Sequence, residues 1–293
     1  MNETQIAAHP PSFNEKISFT ADGVAYRRTF TGIPYSNQIF HFLENNGGMM
    51  DPKEKARADA MPGIIPLFES RYLITDQEPE KSGISQVIEL ASGLSPRGFT
   101  WAHNPMFEYV EVDLPDKMSM KRKVVSELHR QQGTSHYSNL HLLDGNVIDQ
   151  ESWAGAVINF ERAPIFVICE GLLRYVNWPD KEKLSELVQR TLSEHGGGTW
   201  VTPDIELLSD VNATAESRAR YDMMAREWGF DVRPNLFEDI DHARRFFESF
   251  GFKIELRPHL DVVDQLVSPK RLSLADDVVQ KTLGRFVTFV MSL

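Results

Sequence analysis

The chain has 293 residues, enough for one large domain or two small ones, with ample core and no need of disulfides or metals as staples. A formal net charge of −11 argues against a nucleic-acid partner, whose phosphates call for a basic surface. With 41% apolar and 25% charged residues, and no apolar run near the about 20 residues that cross a bilayer, a soluble globular protein without a membrane partner is expected.

The first residues, MNETQIAAHPPSFNEK, lack a basic region followed by an apolar one, so no signal peptide is expected and a cytoplasmic location is. Helical patterning then runs to about residue 80. It is punctuated at Pro34 (IPYSNQIFHFLEN), at Pro52 and in IIPLFESRYLITDQ, and it closes in a charged turn, QEPEKSG. No strand is expected before Ser85. From there apolar runs rich in β-formers alternate with helical segments: QVIEL, FEYVEVDL, HYSNLHLL, PIFVICEG and GTWVTPDI, with KIELRP and RFVTFVMSL near the end. The helical segments between them include DKMSMKRKVVSELH, PDKEKLSELVQRTLSEH and HARRFFESF. Such alternation predicts an α/β fold, a doubly wound, seven-stranded and mostly parallel sheet in a single domain. Residues 1–80 would form a helical lid, and residues 205–250 a cap with helices around Glu216 to Trp228 and Asn235 to Phe250.

In open α/β sheets ligands bind at the carboxyl ends of the strands, near the point where strand order reverses. After the first strand come Ala91, Ser92, Gly93, Leu94 and Ser95, in a frame that begins at Glu89. Small side chains there let backbone approach a ligand, although a plain tight turn reads the same way. Asp113 closes the second strand about 20 residues later, the separation at which an acid meets ribose hydroxyls in nucleotide-binding folds. Glu111 shares its face and is the alternative. Asp144-Gly145-Asn146 after the third strand reads either as a bend or as a contact for an adenine amino group. Glu170 ends the fourth strand. It is either a partnered functional acid or an acid at the start of the next helix. The lone cysteine, Cys169, reads as a buried thiol, and no metal-ligand spacing occurs.

These places together resemble class I S-adenosylmethionine-dependent methyltransferases, and specifically the leucine carboxyl methyltransferase family with its polyketide O-methyltransferase relatives. QVIELASGLSPRG stands for the glycine-rich turn ending in arginine, FEYVEVDLP for the E-x-D-x-P segment, and FVICEGLLRY for the fourth strand with its glutamate. Arg71 in ESRYLITD resembles the arginine that meets the cofactor's carboxylate in relatives. The resemblance implies a Rossmann-like methyltransferase fold and S-adenosylmethionine as cofactor. Gly93 would line the methionine portion, Asp113 the ribose, Asp144 to Asn146 the adenine, and Glu170 the amino group, with Glu89 and Ala91 in the same turn. Ala91 replaces the first glycine and is expected with a negative φ. The reaction implied is O-methylation of a carboxylate or hydroxyl of a small molecule, by a monomer or homodimer. Tyr26, Arg27, Arg28 and Tyr35 in AYRRTFTGIPYS would form a lid with cationic groups for an acidic acceptor, and of these Arg27 and Tyr35, with Tyr175 at the end of FVICEGLLRY, are the candidate acceptor residues.

Competing readings are weaker. In Gly93 to Gly98 the frame misses a serine-hydrolase elbow by one residue, and Arg97 takes the second glycine's place. The full G-x-G-x-x-G of a dehydrogenase is absent. A binding protein that keeps the fold without turnover is the alternative from another class.

Overall fold

The computed structural model describes residues 23–46, 50 and 52–293. Part of the expected lid, residues 1–22, 47–49 and 51, lies outside them. After a helical turn over residues 23–28 come α1 (Ser36–Asn45), α2 (Pro52–Ala60) and α3 (Ile65–Ser82). Strands and helices then alternate: β1 (Gln86–Leu90), α4 (Arg97–Trp101), β2 (Glu108–Asp113), α5 (Pro115–Gln132), β3 (Leu140–Asp144), α6 (Gln150–Ala156), β4 (Ile165–Cys169), α7 (Trp178–Glu194) and β5 (Gly198–Thr202). The remainder comprises α8 (Leu208–Asn212), α9 (Ala215–Trp228), α10 (Ile240–Glu248), β6 (Lys253–Pro258), α11 (Ser268–Arg271), α12 (Asp276–Leu283) and β7 (Val287–Ser292).

The seven strands form one sheet in the order β3-β2-β1-β4-β5-β7-β6. The first five run parallel, while β7 is antiparallel to both β5 and β6. Strand order reverses between β1 and β4, so their tips flank the switch-point crevice. Residues alternate in facing the two helical layers, as the two-residue period of a strand requires. Ile88, Leu90, Val110, Val112, Val167 and Cys169 pack with Trp153 of α6, Leu184 and Val188 of α7 and Phe247 of α10. Val87, Tyr109, Phe166, Ile168 and Val201 face Phe99 of α4, Val124 and Leu128 of α5 and Phe40 of α1. Cys169 is fully buried, and burial pushes its thiol well up.

Three elements differ from the sequence reading. The expected turn QEPEKSG is the last turn of α3, which carries Pro79 within it and closes at Gly83 with φ +69°. A proline this close to a helix end removes one hydrogen bond only, and the glycine cap compensates there. The helix expected around 235–250 forms over Ile240–Glu248 alone and puts Phe247 behind the sheet against Trp200 and Phe289. Between β6 and β7 the chain makes an excursion that no strand pattern announced. Its Val262, Leu266, Val279 and Leu283 bury against Leu67 and Ile74 of α3.

Candidate cofactor and active site

At the end of β1 the chain turns sharply, with Ala91 at φ +50° and Gly93 at φ +51°. The expectation of a negative φ at Ala91 is therefore corrected: the turn demands the left-handed region, where a Cβ crowds its own backbone. The Gly93 N–H donates to Asp113 Oδ2 at 2.6 Å, and the Leu114 N–H donates to Oδ1 at 2.7 Å. Asp113 thus fastens the β1 turn to the tip of β2 and is 9% exposed. Burial pushes its carboxyl up, against those two N–H groups and Lys121. Asp144 sits beside it in register on β3 and pairs with Arg122 at 2.9 Å. The Asn146 N–H donates to Ser152 Oγ at 3.0 Å, and its side chain accepts from the Ile148 N–H.

Glu170 lies at the tip of β4, across the crevice. Its Oε2 accepts from Arg97 Nη2 at 3.0 Å. Its Oε1 lies 3.5 Å from Arg28 Nη2 and 3.7 Å from Arg71 Nε. Burial alone would raise this acid, but the guanidinium groups of Arg97, Arg28 and Arg71 outweigh burial and hold it at about 2. Glu170 is thus a working anion at neutral pH.

Arg97 is fully buried and lies over the Tyr72 ring at 4.4 Å. It also donates to Glu89, whose other oxygen accepts from the Tyr109 hydroxyl at 2.9 Å. Glu89 is therefore occupied in placing Arg97. Arg71, on α3, donates to Asp204 in the loop after β5. Arg28 and Arg71 each keep a buried Nε without a hydrogen-bond partner. Below the β1 turn, Lys121 reaches both Ser95 O and Glu111, the latter at 2.6 Å. Glu111 is fully buried in this pair, beneath the crevice.

The structure brings Arg71, Glu89, Ala91, Gly93, Asp113, Asp144 and Glu170 to the tips of neighbouring strands. The acceptor candidates are spread more widely. Arg27 donates to Gly23 O at 3.0 Å and lies over Phe68, whereas its neighbour Arg28 faces Glu170. Tyr35 packs edge-on to Phe99, and its hydroxyl accepts from Gln132 at 2.8 Å, near the far end of α5. Tyr175 packs with Val211, Tyr221, Val232 and Leu236, residues of α8, α9 and the segment that follows. Sequence reasoning missed Asp204 and the separate roles of Arg28 and Arg97. The signal for Arg97 was present in its fixed place after the turn; Asp204 left none, since it lies 33 residues from the backbone N–H of Gly171 that it binds.

The sheet order and the crevice between β1 and β4 define a Rossmann-like methyltransferase fold of class I. The sequence model of the leucine carboxyl methyltransferase family matches residues 44–189 of the chain. No curated protein matches it by sequence. Among solved structures it is similar to a candidate O-methyltransferase from Nostoc punctiforme, at 14% identity and TM-score 0.48, over 78% of this chain and 60% of that one. PigF, solved with SAH, aligns at 11% identity and TM-score 0.45, over 77% and 58% of the two chains. A candidate sarcosine dimethylglycine methyltransferase from Galdieria sulphuraria aligns at 12% identity and TM-score 0.43, over 78% and 86%. The chain thus spans about three fifths of the first two.

Proposed function

We propose that the protein transfers a methyl group from S-adenosylmethionine to an oxygen of a small organic acceptor, a carboxylate or a hydroxyl. The observation that carries this reading is the charge pattern across the crevice. An ionised acid, Glu170, stands within 4 Å of three guanidinium groups, and two of them, Arg28 and Arg71, are not engaged by Glu89 and keep an Nε without a hydrogen bond. That arrangement matches a zwitterion, an amino group for Glu170 and a carboxylate for Arg71 or Arg28. Room for a ligand supports it too. A Cβ added at Gly93 or at Gly171, the glycines at the tips of β1 and β4, would meet nothing within 4 Å. In this reading Gly93 borders the methionine portion, Asp113 takes the ribose, and Asp144 to Asn146 border the adenine.

When bound, the cofactor supplies an electrophilic methyl group on a sulfonium. The chain's own residues orient the two partners and exclude water. A carboxylate acceptor is already ionised at neutral pH, so placement and desolvation do most of the work and no general base is required. Arg28, carried on the segment ahead of α1, adds a cation suited to an acidic acceptor. His259, buried beyond Arg71, is held at about 3 by burial and by Arg71, and hydrogen-bonds Ser70 and Thr288. It stays neutral and serves as structure.

Calorimetry with S-adenosylmethionine and S-adenosylhomocysteine, followed by labelled methyl transfer to a panel of carboxylic acids and phenols, tests the reading. Binding with transfer supports it. Binding without transfer to any acceptor marks a binding protein that keeps the fold, and failure to bind either compound overturns the reading.

A further inference from the structure

Asp204 is the group in the crevice that no strand-end motif announces. Its carboxylate is 3% exposed and makes four contacts. Oδ1 accepts from the Gly171 N–H at 2.8 Å and from Arg71 Nη2. Oδ2 accepts from the Leu172 N–H at 2.7 Å and the Leu173 N–H at 3.3 Å. Its own N–H donates to Thr202 Oγ1 at 3.2 Å, so the acid is tied to the end of β5. One side chain therefore fastens the turn that follows Glu170 and, through the same oxygen, the guanidinium that faces Glu170. Burial pushes the Asp204 carboxyl up, and Arg71 with the Gly171 and Leu172 N–H groups opposes that rise.

We infer that Asp204 is a positioning residue: it sets the separation of Arg71 and Glu170, and thereby recognition of the amino-acid end of the cofactor, without touching the cofactor itself. Arg71 spends Nη2 on Asp204, which leaves Nε on the Glu170 side of the crevice, without a hydrogen bond and 3.7 Å from Oε1. Without the anion, Arg71 Nη2 loses its hydrogen bond and the longer pair with Glu170 is left to place the guanidinium. The turn at Gly171, at φ +89°, would also lose three N–H acceptors at once. The effect belongs to one half of the ligand. Asp113 and Gly93, which border the nucleoside half in the proposed reading, make no contact with Asp204.

The inference rests on the proposed binding of S-adenosylmethionine, and its test separates the two. Two probes are titrated into the full chain: S-adenosylhomocysteine, which carries the amino-acid end, and methylthioadenosine, which lacks it. Asp204→Asn, nearly isosteric, is expected to weaken S-adenosylhomocysteine at least tenfold and methylthioadenosine less than twofold. In an Arg71→Met background the same substitution is expected to add little, because its effect runs through Arg71. An equal loss for both probes, or full additivity with Arg71→Met, overturns the inference and leaves Asp204 as a turn-forming group only. Should Asp204→Asn fail to fold, Asp204→Glu takes its place. That variant keeps the charge and moves it by one methylene, and an unchanged ratio of the two affinities again overturns the inference. If the unmodified protein binds neither probe, the functional reading itself fails.

Discussion

Arg27 and Arg28 are neighbours in sequence with different surroundings. Arg27 closes back onto Gly23 O, and burial lowers its pKa, whereas Arg28 lies 3.5 Å from Glu170 and keeps an unpartnered Nε. Arg28→Ala is expected to raise the acceptor KM at least tenfold, the worth of a charged hydrogen bond, about 1.5–3 kcal/mol. Arg27→Ala is expected to change it less than twofold, and steady-state kinetics on the two variants decides between them. Composition and position showed that a cation stood ahead of the first helix, but the choice between adjacent residues depends on the helical turn over residues 23–28. Ala91 makes a second residue-scale test. Its φ of +50° places a Cβ in a region that costs L-residues roughly 1–2 kcal/mol. Ala91→Gly relieves that cost and adds unfolded-chain entropy of about 0.4–1 kcal/mol. A net gain of up to about 1 kcal/mol in urea unfolding is expected, and a loss would show that the alanine methyl packs usefully.

Strand periodicity and helix-start signals placed β1, β2, β4 and β6 closely, because their apolar alternation is a local property. It also put Glu111 and Asp113 on one face, but it did not set Glu111 beside Glu89. Glu89 and Glu111 are register partners on neighbouring strands, both buried, and what makes them tolerable comes from other elements. Arg97 at the start of α4 neutralises Glu89, and Lys121 in the middle of α5 neutralises Glu111. Burial raises Glu111 to about 7, with Lys121 opposing and Glu89 adding to the rise. A folded-state value above the ordinary 4.5 means that this group's stabilising contribution is fully present below pH 4.5 and lost as pH rises through 7. Glu170 has the opposite sign, since its value of about 2 contributes above pH 4.5 and is lost as pH falls toward 2. Lys121→Met removes the counter-charge, so the Glu111 titration is expected to move above 7, followed by NMR of labelled glutamate carboxyls. The variant is also expected to lose about 3 kcal/mol of stability at neutral pH, the usual cost of breaking one side of a buried pair. A midpoint that moved down would refute the pairing as the opposing influence.

At the scale of the whole molecule, the alternation of strands and helices pointed to the doubly wound sheet, but not to what ties the segment before α1 to the rest. The ties are long-range. The Glu69 carboxylate on α3, 1% exposed, accepts from the Gly32 N–H at 2.6 Å on one side and from the Val267 and Ser268 N–H groups at 3.1 and 2.8 Å on the other. Arg271 at the end of α11 donates to the carbonyls of Thr29 and Thr31 at 3.1 and 2.9 Å. The excursion between β6 and β7 thereby holds the segment that carries Arg28, four residues before Gly32 and opposite Glu170. No local pattern encodes this, since Glu69 and Ser268 lie 199 residues apart. Oε1 accepts from Gly32 and Val267 and Oε2 from Ser268, so Glu69→Gln, with one accepting oxygen, leaves at least one of these buried donors unpaired, at about 1–3 kcal/mol. Hydrogen exchange measured by mass spectrometry is expected to rise about tenfold or more in peptides covering residues 24–33 and 262–271, with β1 and β4 unchanged. The acceptor KM should follow Arg28→Ala in direction but by a smaller factor, because Arg28 is then displaced rather than removed. A uniform rise in exchange through the sheet would instead make Glu69 a core stabiliser, and the segment before α1 would owe its position to apolar packing alone.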